Sequence, residues 1–181
     1  RDGKKACYNV QTGIDAKYKM ITLAEVSINE HDMYLLEENL QKLEEQVNII
    51  PIEYEADTGY GNTNQIMKIE GNSKTKCYIP IQEPTIKKIE QEKNITFDYD
   101  PEADELKCSN DKRLKPLQKN YKQGSQLYNV YQCSDYENCK IKEVCTKSQK
   151  ARRVKRNINQ DWIDKYKKGL NTKYAKEKIR E

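Results

Sequence analysis

The chain has few large apolar side chains other than tyrosine. Its 181 residues include one Phe and one Trp against 13 Tyr, and 35% are hydrophobic while 34% are charged. Tyrosine carries a hydroxyl that needs a partner or water, so this composition does not indicate one compact domain with a single large core. No run of 18 apolar residues and no signal-peptide pattern is present, so we expect no membrane partner and a cytoplasmic location. The polar sequence at both ends predicts a piece of a longer protein.

Two further absences concern enzyme chemistry. His31 is the only histidine, and no Ser or Cys is convincingly placed to form a nucleophilic pair with it. Its position beside a helix start favours a surface or capping role, with a metal or catalytic role as the alternative. The sequence also contains no glycine-rich motif of the P-loop type, which would bind the phosphates of a nucleotide.

Charge is divided unevenly along the chain. Residues 1–106 contain 12 Lys or Arg and 21 Asp or Glu, a net charge of −9, whereas residues 107–181 contain 21 and 8, a net charge of +13, which together give the overall +4. The basic second half predicts a polyanion partner, and the alternative is a solvated lysine-rich surface. We expect one basic run to contact nucleic-acid phosphates without reading sequence. Its residues are Lys150, Arg152, Arg153, Lys155 and Arg156.

The first half alternates strand and helix patterns in the order β-β-α-β-α-β. This order predicts an α/β fold (α+β mixed sheet) with helices on its faces. Asp32 is predicted to be the N-cap of the first helix, and Asn62 the N-cap of the second. The predicted elements are strands at 6–14 and 20–28, a helix with apolar positions from 33 to 47, a strand at 52–57, a helix at 63–70 and a strand at 77–81.

Asp57 ends a predicted strand and begins the stretch DTGYG. Gly59 lets the backbone turn sharply and run close to a neighbour or ligand. A carboxylate at a strand end fits a Mg²⁺ or Mn²⁺ site for phosphoryl chemistry, and the alternative is that Asp57 only caps the turn. Glu53 and Glu55 share its strand face, a row of acids that would repel unless a cation or solvent relieved it. No convincing second or third ligand emerges, because Asp32 is assigned to the helix cap.

The second half contains four of the six cysteines, spaced C-x24-C-x5-C-x5-C. Intracellular chains rarely keep disulfides, so this pattern favours a thiolate metal site. Zinc held by four thiolates would stabilise a small region that is poor in apolar residues. The alternative is four reduced, unconnected thiols, and Cys7 and Cys77 are predicted to be core residues of strands. The predicted zinc ligands are Cys108, Cys133, Cys139 and Cys145.

Four blocks of the sequence are informative together: CYNVQTGIDAKYKMI, the NEHD helix start, the ADTGYG turn and CSNDKRLKP…YQCSDYENCKIKEVCTKS. They resemble bacterial insertion-sequence transposases of the DDE class, in the branch with a cysteine-rich insertion. The resemblance implies an RNase H-like core, with Asp57 as the second of three catalytic carboxylates. It puts the first catalytic Asp upstream of Arg1 and the catalytic Glu after KYAKEKIRE, and Glu181 is not assigned that role. The chain alone is therefore expected not to cut DNA.

These observations together predict three segments. Residues 1–92 would form a partial RNase H-like core, residues 93–150 a cysteine-rich insertion after a linker at 82–96, and residues 151–181 a basic helical segment. The expected function is metal-dependent cleavage and strand transfer at transposon ends and target DNA. The expected assembly is a homodimer in a synaptic complex. The alternatives are a non-catalytic zinc-stapled nucleic-acid-binding module, whether a decayed or a domesticated relic, and a structural domain without metal or DNA affinity.

Overall fold

A computed structural model describes residues 8–179 as a mixed α/β chain. Cys7 and the start of the first predicted strand lie outside these residues. The chain divides into two compact units, one running to Gln82 and resuming at Lys165, the other comprising Glu83–Asp164. Within residues 8–179 no helix has the length and apolar content needed to span a bilayer.

The order of strands and helices in the first half agrees with the prediction. Short 3₁₀ turns at Asp32–Tyr34 and Thr58–Tyr60 precede the first two helices. The elements are β1 (Asn9–Ile14), β2 (Ile21–Ser27), α1 (Leu36–Val47), β3 (Glu53–Glu55), α2 (Thr63–Asn72), β4 (Lys76–Tyr78), α3 (Thr85–Glu92), β5 (Phe97–Asp100), β6 (Glu105–Cys108), β7 (Arg113–Gln123), β8 (Gln126–Cys133), α4 (Lys142–Cys145), β9 (Arg153–Asn157), α5 (Gln160–Leu170) and α6 (Lys173–Lys178).

The first unit contains two separate pairs of strands where the sequence predicted one mixed sheet. β1 and β2 form an antiparallel hairpin, and β3 and β4 form a parallel pair. Within residues 8–179 no strand bridges the hairpin to the parallel pair. The sequence pattern identified the strands correctly but could not give this pairing, because pairing depends on contacts that are distant in sequence.

Helices α1 and α2 supply part of the core of the first unit. The apolar stripes of these helices bury Leu36, Leu43, Ile66 and Ile69, as their helical spacing predicts. Asn62 is the N-cap of α2, since its side-chain oxygen accepts hydrogen bonds from the backbone N–H groups of the helix's first turn. This prediction is confirmed.

Strand β4 carries a buried thiol and is anchored by a tyrosine. Cys77 is fully buried, as predicted for a core residue, and burial raises the pKa of its thiol to about 12. The hydroxyl of Tyr166, on α5, lies 3.1 Å from the carbonyl oxygens of Cys77 and Ile79 and from the amide nitrogen of Ile79. This side chain therefore satisfies backbone groups that the short strand leaves unpaired.

The second unit is built on an antiparallel sheet in the order β5-β6-β7-β8-β9. One face of this sheet buries Leu106, Leu114, Tyr131 and Cys133, with Ala151 packed against them. The prediction of a region poor in apolar residues missed this core. Its members come singly from several strands, so no long apolar run marks them.

Two predicted segments of the second half differ from the structure. Residues 82–96 were predicted to be a linker but contain α3 (Thr85–Glu92), whose Ile86 and Ile89 are too few to give a clear stripe. The basic run was included in a helical segment, but residues 153–157 form β9. Strand geometry divides its charged residues between the two faces of the sheet, with Arg153 and Lys155 on one face and Arg156 on the other.

Candidate functional site

Asp57 lies directly after β3, at the start of the turn that leads to α2. Its Oδ1 accepts a hydrogen bond of 2.7 Å from the backbone N–H of Gly59, so the side chain does cap this turn. The carboxylate is exposed, and Oδ2 accepts no hydrogen bond from residues 8–179. One oxygen of Asp57 thus fixes the turn while the other remains available to a ligand.

Asp32, which was predicted to be a helix cap, brings a second carboxylate to this position. A Cβ atom built on Gly59 would lie 2.9 Å from Oδ1 of Asp57 and 3.3 Å from Oδ2 of Asp32. Both carboxylates therefore face the same small space, which only a glycine leaves open.

The predicted N-cap role of Asp32 is wrong. The residue before the 3₁₀ turn is His31, which makes no side-chain cap, and α1 itself begins only at Leu36. His31 is exposed, in keeping with a surface position. Asp32 was misassigned because an acid next to a predicted helix start is normally a cap, and its approach to Asp57 across 25 residues of sequence leaves no local signal.

A polar network holds Asp32 in place. Its Oδ1 accepts hydrogen bonds from Asn9 Nδ2 at 2.8 Å and from Gln11 Nε2 at 2.9 Å. Gln11 is buried in β1, and its Oε1 accepts from Asn39 Nδ2 at 2.9 Å and from the hydroxyl of Tyr60. Because Tyr60 belongs to the turn after Asp57, the network links the two carboxylate-bearing turns through one buried amide.

The ionisation of Tyr60 reports the same proximity. Partial burial raises its pKa, and the negative charges of Asp32 and Asp57 raise it further. Two carboxylates facing one space suit a Mg²⁺ or Mn²⁺ ion, which typically takes one or two protein carboxylates and fills its remaining positions with water and substrate phosphates. Within residues 8–179 no three His, Cys, Asp or Glu side chains form a group that could hold a metal ion.

Glu53 and Glu55 are neutralised by a cation from the same unit. Lys178 Nζ lies 3.2 Å from Glu53 Oε2 and 3.1 Å from Glu55 Oε1. Hydrogen bonds with Glu55 and Glu53 raise the pKa of Lys178, and a hydrogen bond from Tyr174 is the main cause that lowers the pKa of Glu53. The expected repulsion along β3 is thus relieved by a lysine, which leaves these two glutamates paired and Asp57 apart from them.

The four predicted zinc ligands line one cavity in the second unit. Its volume is about 30 Å³, enough for a single ion or water molecule. All four side chains are free thiols. They reach the cavity from the end of β6, the end of β8, the following loop and the end of α4. The residues are Cys108, Cys133, Cys139 and Cys145.

Polar and cationic groups surround these thiols. Asn110 Nδ2 donates to Cys139 Sγ at 3.4 Å, and burial raises the pKa of Cys133 although a backbone N–H of Asp135 opposes the shift. Lys112 and Arg152 also line the cavity. Within residues 8–179 the sulfur atoms do not form a coordination sphere. A change of χ1 rotamer moves the sulfur of a cysteine considerably, so the same four residues can bring their sulfurs closer together. The four thiols share one cavity, and by number and chemistry they fit a tetrahedral zinc site.

The basic run splits into two kinds of position. Arg152 forms an ion pair with Glu90, and Arg156 forms one with Asp161 at 2.6 Å, so these two side chains already have carboxylate partners. By contrast, Lys150, Arg153 and Lys155 are exposed. The sequence run could not reveal this division, because the pairing acids lie elsewhere in the chain.

No protein-family model, curated protein or solved structure that was compared with the chain matches it. The resemblance to DDE transposases therefore remains a prediction from sequence motifs.

Proposed function

We propose that this chain is part of a DDE transposase, which cleaves the phosphodiester at transposon ends and joins the freed 3′-hydroxyl to target DNA. The observation that carries the proposal is the convergence of Asp57 and Asp32 on the space beside Gly59. Asp57 supplies one metal ligand at a strand end, as the ADTGYG motif suggests, and Asp32 supplies a carboxylate beside it. The remaining catalytic carboxylates come from outside residues 8–179.

The chain's own residues would prepare this site for a divalent cation. A Mg²⁺ or Mn²⁺ ion bound there supplies charge stabilisation for the attacking and leaving oxygens of phosphodiester cleavage. Gln11 and Asn9 orient the carboxylate of Asp32 by donating to one of its oxygens, which leaves the other free to face the ion. The backbone N–H of Gly59 orients Asp57 in turn, by donating to its Oδ1.

An exposed apolar face on the β1–β2 hairpin supports the proposal that a further part of the catalytic core packs against this hairpin. The register pairs Val10 with Val26 and Ile14 with Ile21, so these side chains share one face. They are 59% to 68% exposed, whereas the opposite face carries the buried Gln11. A contiguous apolar patch of this kind marks an interface. A further strand or helix of the same core would cover it.

In the second unit, zinc would be held by the four cysteines that line the cavity. The ion would join the ends of β6 and β8 to the loop and helix that follow, and so tie the irregular segment between β8 and β9 to the sheet. DNA is the proposed partner of this unit, whose exposed strand residues are rich in Lys and Arg. A homodimer is proposed for the intact enzyme.

The second candidate is a non-catalytic zinc-stapled module that binds nucleic acid. The separate core of the second unit favours it, because that unit needs no catalytic carboxylate to fold. Sequencing the source locus distinguishes the two candidates. A transposase requires an open frame with an Asp on an upstream strand pattern and a Glu on a downstream helical pattern. Stop codons in place of the upstream Asp and the downstream Glu would leave only the second candidate, the non-catalytic module.

Mn²⁺ binding tests the carboxylate site on the chain itself. Titration followed by electron paramagnetic resonance should show a bound ion whose affinity falls when Asp57→Asn or Asp32→Asn removes one ligand charge. Asp98→Asn is the matched control, because this exposed acid lies on β5, in the other unit. Equal affinities for all three variants would remove Asp57 and Asp32 from any metal site.

A further inference from the structure

Three neighbouring strands of the second unit carry positive charge without any acid. β7, β8 and β9 contain 11, 8 and 5 residues, and together they include seven Lys or Arg and no Asp or Glu. The other two strands of the sheet differ, since β5 and β6 contain Asp98, Asp100 and Glu105. The positive charge of the sheet is therefore concentrated in the part formed by β7, β8 and β9.

Two arginines on the core-facing side are neutralised within the protein: Arg156 on β9, and Arg152 directly before it. Arg152 and Arg156 pair with Glu90 and Asp161, and the Arg156 guanidinium also lies 3.8 Å from the centroid of the Tyr99 ring. Their side chains are only 18% and 12% exposed. They stabilise the unit and have little capacity left for a ligand.

On the opposite side Arg113 pairs with Glu105, but three other cations are not neutralised. The antiparallel register aligns Lys115, Gln132 and Arg153 in one row across the three strands, and it aligns Gln118, Val130 and Lys155 in the next row. We call Lys115, Arg153 and Lys155 the outer cations. All three are exposed, and within residues 8–179 none lies within 4.0 Å of a carboxylate.

Neutral amides are the partners of two of these cations, Arg153 and Lys155. Arg153 Nε donates to Gln132 Oε1 at 2.9 Å, and Lys155 Nζ donates to Gln123 Oε1 at 2.8 Å. Such amides position a cation without cancelling its charge, and they can also donate to phosphate oxygens. Lys115 and Arg153 lie two strand spacings apart, about 10 Å, which is comparable to the widths of the DNA grooves.

We infer that the outer cations form a surface that binds the phosphate backbone of double-stranded DNA without reading its sequence. The choice of DNA rests on the proposed function. The position of the surface rests on the pairing of charges across the sheet. The ring of Tyr121 lies under Lys155 Nζ, 4.6 Å from its centroid, so it is not open for stacking with the bases of a single strand. Val130, in the same row as Lys155, is buried, so this side chain offers no apolar wedge to a lipid surface.

The test compares two triple variants of the whole chain that change net charge equally. One removes the outer cations by Lys115→Gln, Arg153→Gln and Lys155→Gln. The control carries Lys88→Gln, Lys140→Gln and Lys147→Gln, which replace exposed lysines of the same unit that lie on none of its five strands. Circular dichroism must first show that both variants keep the fold and melting temperature of the unmodified chain.

Fluorescence anisotropy then follows binding to a random-sequence duplex between about 50 and 200 mM salt. Losing three phosphate contacts should make the slope of log K against log salt shallower by about 2.7, and should weaken binding at least about tenfold near 0.1 M salt. The control should keep the slope of the unmodified chain. Equal slopes for the two variants would overturn the inference, as would no duplex binding by the unmodified chain.

Two competitors test the choice of ligand. Tighter binding to an RNA duplex, or to vesicles of anionic lipid, at the same salt concentration would overturn the assignment to DNA. This failure is distinguishable from failure of the proposed function, which depends on Asp57 and is measured by metal binding and strand cleavage. The outer cations lie in the other unit and take no part in that chemistry.

Discussion

Replacing Arg152 should destabilise the second unit and leave its affinity for DNA almost unchanged. The guanidinium pairs with Glu90, and the two side chains are only 18% and 15% exposed. Arg152→Ala would leave the Glu90 carboxylate largely buried without its cation. Breaking a buried pair costs about 3–5 kcal/mol. The residual exposure and the buried Arg152 Nε, which has no hydrogen-bond partner in the described part of the chain, bring our expectation down to about 2–3 kcal/mol.

Urea unfolding, followed by fluorescence of Trp162, measures this change, because Trp162 is the only tryptophan and belongs to the second unit. Arg153→Ala is the matched control. It removes the adjacent but exposed arginine, and should change the free energy of unfolding by less than about 0.5 kcal/mol. In a double-mutant cycle with Glu90→Gln, the combined loss should be smaller than the sum of the single losses.

The opposite pattern would refute this reasoning. If Arg152→Ala left the unfolding midpoint unchanged and weakened DNA binding as much as Arg153→Ala, Arg152 would be a DNA contact and its ion pair would contribute nothing. The sequence-based assignment of Arg152 to DNA would then stand.

Three other predictions follow from named contacts. Asp104 accepts hydrogen bonds from Tyr131 and Tyr99 and pairs with Lys119, and these contacts, that of Tyr131 first, lower its pKa. Its charge therefore stabilises the fold above its unfolded pKa of about 3.9, and this stability is lost as the pH falls through the lower folded pKa. Asp104→Asn keeps a residue type that tolerates the φ of 49° there and should cost about 1.5 kcal/mol at pH 7 by urea unfolding; a deficit that persisted in acid would contradict the charge argument. Gly59→Ala should reduce Mn²⁺ affinity in the resonance titration while changing unfolding by less than about 1 kcal/mol, because the atoms it meets are carboxylate oxygens that can shift; unchanged affinity would exclude a ligand site beside Gly59. Purified chain should contain one zinc ion by elemental analysis, and Cys145→Ser should lose the ion and lower the unfolding midpoint reported by Trp162; equal zinc content in the variant would refute the four-thiolate site.

Elements with strong local patterns could be predicted from the sequence. The stripe containing Ile66 and Ile69 marks α2, and Asn62 caps it because a short amide side chain before a helical pattern can satisfy its first N–H groups. Asp57 was found because glycines follow a strand pattern at that point. These signals lie within a few residues of the feature that they predict.

Features that depend on distant residues could not be predicted in the same way. The approach of Asp32 to Asp57 depends on Gln11, which lies in a different strand and is buried although it is polar. The division of the basic run into paired and exposed side chains depends on Glu90 and on the register of β9 with β8. A contiguous run of Lys and Arg carries no information about which face each side chain occupies.

Strand cleavage by the reading frame that contains this chain tests the transposase assignment most directly. With Mg²⁺ or Mn²⁺, the protein carrying the flanking sequence should nick DNA at its transposon ends. Asp57→Asn should reduce the rate by several orders of magnitude, and Asp98→Asn should not. Cleavage by Asp57→Asn at the unmodified rate would contradict the account, since the carboxylate at the end of β3 would then take no part in the reaction.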